Sequence, residues 1–255
     1  MSEELIHNAF FKEQVAKCAE YFENWLYTRV SKVFEDKGEP LKQTFYCDLY
    51  DVFSEYYKSQ EGKENEIAHN CIGCNFEEGA SNIELFFKYN KNTDSERYFL
   101  TLYSMLFYLQ AERLAVIYKE LGFIVINKDE FDWSAFPILQ RIKYWANFFK
   151  HPKYYMLLHH PMFFIDGDPS TPNFMINGVI DDTFIHKFYS GGKLNNDLRA
   201  ELQNKDKYII IFPNLLNLTK DLCSEFEKIV KLIASDKAII AKLATYTTIK
   251  SDLSD

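Results

Sequence analysis

Glycine and proline are scarce in this chain, 9 and 7 residues among 255. Sandwiches and barrels depend on frequent tight turns, which draw on those two residues, so the shortage argues against a turn-rich all-β architecture. No stretch reaches the roughly 18 consecutive apolar residues that a bilayer-spanning helix needs. The opening MSEELIHNAFFKEQ has no basic segment followed by an apolar one, so neither secretion nor membrane insertion is expected, and a cytoplasmic location is. Cysteines are few and odd in number (Cys18, Cys47, Cys71, Cys74 and Cys223), which suits reduced thiols rather than a disulfide framework. Phosphate-binding P-loops, dinucleotide fingerprints, GxSxG elbows and HExxH motifs are all absent, and no cofactor is expected. Positive charge is also in deficit. The net charge of -8 repels nucleic acid and anionic membranes on average, so any site for a polyanion has to be a local patch.

What the chain has in quantity is aromatic residues, 23 Phe and 17 Tyr within a hydrophobic content of 47%. That is enough apolar mass for a large core without metal or disulfides. Apolar residues recur every three or four positions from Phe11 to Phe34 (Phe11, Val15, Cys18, Phe22, Trp25, Val30, Val33), which predicts an amphipathic helix. A second helix is expected over Thr44 to Lys58. Ile67 to Ser81, with Gly73, Gly79 and the cysteine pair, reads as irregular, and Asn82 to Tyr89 as a short helix. Asp94 or Ser95 can cap the longest helix, with a stripe of Phe99, Leu102, Tyr103, Leu106, Leu109, Leu114, Ile117 and Leu121, closed by Gly122. Phe123 to Ile126 reads as extended. Asp132 or Ser134 starts a helix that carries Pro137 in its first turn, buries Phe136, Leu139, Ile142, Trp145 and Phe149, and stops at Pro152. Ribbons are expected near Phe174 to Ile176 and Phe184 to Phe188, a buried strand at Tyr208 to Phe212, a helix from Leu215 to Ile233, and a last one to Ala244. The fold class is mainly α: a multi-helix bundle with a short strand or ribbon element in the C-terminal third. Residues 1–255 read as a single helical domain, with 166–207 as an irregular insertion or a connection between two lobes.

Arg141 to Ile165 contains no Asp or Glu, although acids outnumber bases in the whole chain. It holds Arg141, Lys143, Lys150, Lys153, His151, His159 and His160, interleaved with Tyr144, Trp145, Phe148, Tyr154 and Tyr155. Cations that contact phosphates beside rings that stack on bases are what single-stranded RNA engages. The plain alternative is that Trp145 and Phe149 belong to the core while the lysines are the solvated end of a helix, where Lys150 and His151 complement the dipole.

Within this segment Asn147 and His151 stand four residues apart, on one face of a helix. Here the chain resembles the HEPN superfamily of bacterial toxin, phage-defence and CRISPR proteins, whose signature is Arg followed four to six residues later by His, often with Asn just after the Arg. The resemblance covers Asn82 to His160. It implies a helical fold, dimerisation through the helices that carry the motif, and, in active members, metal-independent RNA cleavage that uses His and Arg from both subunits. Asn147 and His151 match, but Ala146 stands where the Arg belongs. The resemblance thus implies a non-enzymatic accessory protein of a bacterial defence system. It would contact protein or RNA through Arg141, Lys143, Asn147, Lys150, Lys153, Tyr154, His159 and His160. The competing readings are an endoribonuclease using His151 as its catalytic residue and an interaction scaffold with no nucleic-acid role. A homodimer or a partner protein is expected to cover Tyr144, Phe148, Tyr154 and Tyr155.

One CxxC, Cys71 and Cys74, offers two zinc ligands where four are needed. Cys47 and His69 could complete the set, but two reduced thiols are the simpler expectation, and no stoichiometric metal is expected. His151, His159 and His160 could hold a transition metal, yet no carboxylate follows before Asp166 to support them. Asp166, Asp168, Asp181 and Asp182 read as turn residues.

Overall fold

The computed structural model describes residues 3–30, 52–53, 55–56, 58–59, 71–122, 125–127, 130–151, 161–163, 176–190, 200 and 208–244. These residues are mainly helical, with seven α-helices, one antiparallel pair and one three-stranded sheet.

The first helix, α1 (Glu3–Val30), is the longest of those described. Its residues Phe11, Val15, Cys18 and Phe22 follow the 4-3-4 spacing of a helix face, and all four are buried. α2 (Cys71–Asn90) is one continuous helix, which corrects the expectation of an irregular segment up to Ser81. Phe76, Ala80, Ile83 and Phe87 are buried at 4-3-4 spacing, and burying that stripe outweighs the roughly 1 kcal/mol that a helical glycine costs. Gly79 has a packing role: a Cβ there would lie 2.3 Å from the Gln110 side-chain oxygen on the next helix.

Ser95 caps that next helix, α3 (Glu96–Glu120), accepting the Tyr98 amide at 3.4 Å. Gly122 at φ +83° ends it, in the left-handed conformation that glycine adopts without strain. The buried face is Phe99, Leu100, Tyr103, Phe107, Gln110, Ala111, Leu114 and Tyr118. Leu109 is 45% exposed, so the expected stripe is corrected by about a fifth of a turn. Two short strands follow, β1 (Val125–Asn127) and β2 (Glu130–Phe131), paired antiparallel with Val125 opposite Phe131. A 3-10 turn at Trp133–Ala135 is capped by Asp132, and α4 (Pro137–Lys150) starts on Pro137 and ends with His151 as its cap. α4 packs on α3 in the most extensive helix pairing among the described residues.

β3 (Pro161–Phe163), β4 (Ile176–Ile180) and β5 (Tyr208–Ile211) form a parallel sheet in the order β3-β5-β4, with Ile210 opposite both Met162 and Val179. A central parallel strand is covered on both faces, which accounts for the unbroken Ile209, Ile210 and Ile211, all buried. Between β4 and β5 runs α5 (Asp182–Ser190), a helix where a ribbon over Phe184 to Phe188 was expected. Asp181 supplies the start signal, its Oδ1 accepting the Phe184 amide at 2.8 Å, and Ile185 and Phe188 are buried.

Asn214 caps α6 (Leu215–Ser235), whose Leu218, Leu222, Phe226, Ile229 and Ile233 are buried. The last helix is α7 (Lys237–Ala244). Hydroxyls tie α3 to α6 across the core: the Tyr103 hydroxyl donates to the Leu215 carbonyl at 2.9 Å, and Tyr118 donates to Glu225 Oε2 at 3.1 Å. One buried cluster joins residues from α1 through α7. No helix among the described residues is long and apolar enough to cross a membrane.

Candidate nucleic-acid interface

α4 divides the sequence-expected residues between opposite faces. On its inner face Ile142, Trp145, Ala146, Phe148 and Phe149 are buried, Trp145 at 1% and Phe148 at 0% exposure. These two rings therefore cannot stack on an external base, which corrects that part of the expectation. Tyr144 is half-buried and stacks on Tyr189 with centroids 5.2 Å apart.

Ala146, where the HEPN pattern has Arg, is 0% exposed. A guanidinium there would enter the core without room or solvent. His151 is exposed, and its amide donates to the Asn147 carbonyl at 3.0 Å as the helix closes.

The outer face of α4 carries Lys143, Asn147 and Lys150, spaced at i, i+4 and i+7, with His151 at its end. Two rings reach this face from other elements. The Lys143 ammonium lies 4.2 Å from the Trp133 ring centroid, and the Lys150 ammonium lies 5.8 Å from that of Tyr108. The rings are neighbours, with centroids 6.2 Å apart and planes at 32°, and both are half-buried. Asp132 holds Trp133 in place by accepting the Ser134 amide at 2.9 Å and its hydroxyl at 2.5 Å. Phe131 supports the indole edge-on at 5.3 Å. Burial, then a hydrogen bond to Glu112, pushes the Tyr108 phenol up to about 12, so it stays a neutral donor at physiological pH.

Tyr108 and Trp133 were absent from the sequence reading of the site. Tyr108 lies 35 residues and more upstream of its lysines, and only the packing of α3 on α4 unites them. The Asp-Trp-Ser start of the 3-10 turn was the one local signal for Trp133.

Arg141 points to the other side of α4. Its guanidinium sits between Asp221 of α6, in direct contact, and Asp182 of α5 at 3.7 Å. Asp182 also accepts the Trp145 indole N–H at 2.6 Å. Burial raises both carboxyls above the usual range, against the opposing pull of Trp145 and Arg141 on Asp182 and of Arg141 on Asp221. This network fastens α4 to α5 and α6 beside a cavity of about 410 Å³ lined by Arg141, Tyr144, Asp182, Thr183 and His186. Arg141 is thus engaged internally, separate from the Lys143 and Lys150 face.

Lys153, Tyr154, His159, His160, Cys47, His69, Asp166 and Asp168 lie outside the described residues. Cys71 and Cys74 stand in the first turn of α2. Cys18 and Cys223 are buried, and burial pushes the Cys18 thiol up to about 12 against a hydrogen bond from Thr219. Compared with protein-family models, curated proteins and solved structures, the chain matches none.

Proposed function

We propose that the outer face of α4 holds single-stranded RNA without cutting it, and that the chain is a cytoplasmic, HEPN-like accessory protein of a bacterial defence system. The observation that carries this reading is the pairing of Lys143 with Trp133 and of Lys150 with Tyr108 on one face. Each ammonium lies over its ring, so a base stacks on the ring as the lysine swings off it to meet the phosphate. Ala146 supports binding over cleavage. Scission through the ribose 2′-hydroxyl needs a base for that hydroxyl and a cation for the developing phosphorane. His151 is a base in an exposed position, and no guanidinium stands beside it at position 146. Lys150 is adjacent to His151, and its ammonium would supply a point charge without bidentate geometry.

The test is titration of fluorescently labelled single-stranded RNA with wild type, Trp133→Ala and Tyr108→Ala. Each ring removed should weaken binding by about 1–3 kcal/mol, and duplex RNA of the same sequence should bind more weakly than the single strand. Equal affinity of all three proteins would reject the face. A protein-only scaffold predicts no RNA binding at all. Incubation with chelator tests the endoribonuclease reading, under which the RNA is shortened by wild type and left intact by His151→Ala.

A further inference from the structure

Beside the Tyr108 and Trp133 rings stands a carboxylate that phosphate binding does not call for. Glu112 follows Tyr108 by one turn of α3, is exposed, and accepts the Tyr108 hydroxyl. Among the described residues no ion pair engages it. A carboxylate has about four acceptor sites and no donor, so the single bond from Tyr108 leaves most of that capacity unused. Its charge repels an RNA backbone, in a chain whose net charge is already -8. The part of a nucleotide that it can attract is a base edge that carries donors. The phenol oxygen lies at the rim of the Tyr108 ring, so a base lying flat on that ring brings one of its own edges over the hydroxyl. That edge then comes within reach of the carboxylate that the hydroxyl holds.

We propose that Glu112 makes this face prefer guanine, its two carboxylate oxygens accepting N1–H and the N2 amine of a base stacked on Tyr108. The inference rests on the RNA-binding reading above and adds the identity of one base. A single strand leaves base edges open to such contact. Guanine alone among the four bases sets two donors side by side on its Watson–Crick edge, which matches the paired acceptors of a carboxylate. Uracil offers one N–H flanked by two carbonyl oxygens, and these oppose the carboxylate. Adenine and cytosine each place one donor beside a ring-nitrogen acceptor, so one carboxylate oxygen is bonded while the other meets a lone pair. With an ionised acceptor the two bonds to guanine are charge-assisted, and their fork geometry adds specificity. Tyr108 serves twice, as the surface for the base and as the donor that limits where the Glu112 carboxylate can turn. Lys150, whose ammonium lies 5.8 Å from the centroid of the same ring, supplies the cation that offsets the repulsion between Glu112 and the flanking phosphate.

The experiment is titration of short labelled oligouridines that carry guanine, hypoxanthine, adenine, cytosine or uracil at the central position, with wild type and Glu112→Gln. Wild type should bind the guanine oligomer about 10-fold more tightly than the all-uridine one. Hypoxanthine, which lacks the N2 amine, should fall between them. Glu112→Gln changes an exposed side chain and can still accept the Tyr108 hydroxyl, but its amide sets a donor beside an acceptor. The guanine advantage should therefore disappear, while adenine and cytosine gain on uracil. That change of preference is a readout that a purely structural role for Glu112 would not move. Wild type that binds all the oligomers equally, or that prefers another base, overturns the inference and leaves the RNA-binding reading in place. A guanine preference that survives in Glu112→Gln overturns it as well. Binding of none of the oligomers overturns the RNA-binding reading, and the inference with it.

Discussion

Single side chains decide which chemistry α4 can offer. Ala146 is enclosed, so Ala146→Arg should not restore the HEPN pattern. It should destabilise the fold by roughly 3 kcal/mol or more, through overpacking and a charge without solvent. Thermal denaturation checks this, and a variant as stable as wild type would show that the position opens outward. Glu96 gives a pH signature. Burial raises its carboxyl to about 7 from an ordinary 4.5, so the folded state binds its proton more tightly than the unfolded chain. That contribution is fully present below the ordinary value and is lost as pH rises through about 7. Glu96→Gln should therefore be more stable than wild type at pH 8, by on the order of 1 kcal/mol after solvent screening. At pH 4, below the ordinary value, the advantage should nearly vanish. Urea denaturation at the two pH values measures it, and an advantage that is equal at both would refute the assignment. At this scale the sequence was legible in part. Trp145 recurs with Ile142 and Phe149 on one apolar stripe, which already marked it as core. Phe148 gave no such mark, since the packing that buries it comes from elements distant in the chain.

Elements were legible where a single periodic face met a clear boundary residue. α6 and α7 run as their spacing and the Asn214 cap dictate, and Ser95 and Gly122 bracket α3 as expected. α2 was obscured because Gly73, Gly79 and two cysteines resemble loop punctuation, while Phe76, Ala80, Ile83 and Phe87 keep helical spacing through them. Gly79 is there for contact with Gln110, so Gly79→Ala should destabilise by about 1 kcal/mol, although alanine is the better helix former. Gln110 is fully buried and has no open side into which to swing. A stabilised variant in chemical denaturation would show that the helices part easily. The stripe of α3 was misplaced for a different reason: with apolar residues on both sides, periodicity alone cannot say which side faces the core. The aromatics of α5 are β-formers, which favours a ribbon in the sequence pattern, while Asp181 caps a helix rather than closing a turn.

Over the whole molecule, charge and surface set the terms on which RNA could be held. With a net charge of -8, long-range steering works against a polyanion, and binding has to come from the local face of Lys143, Lys150, Trp133 and Tyr108. The mainly helical class and strand β5, with Ile209, Ile210 and Ile211 buried, followed from composition and pattern. The face did not, because α3, the 3-10 turn and α4 meet there only through tertiary packing. The most direct test is the salt dependence of single-stranded RNA binding by wild type and Lys143→Ala/Lys150→Ala, in chelator, with RNA length monitored throughout. Each phosphate contact on a single strand contributes about -0.7 to the slope of log affinity against log salt. The account predicts that the double variant binds more weakly, with a slope shallower by about 1.4, while the RNA stays full-length with both proteins. Unchanged affinity and slope in the double variant, or RNA shortened by wild type and spared by His151→Ala, would contradict it.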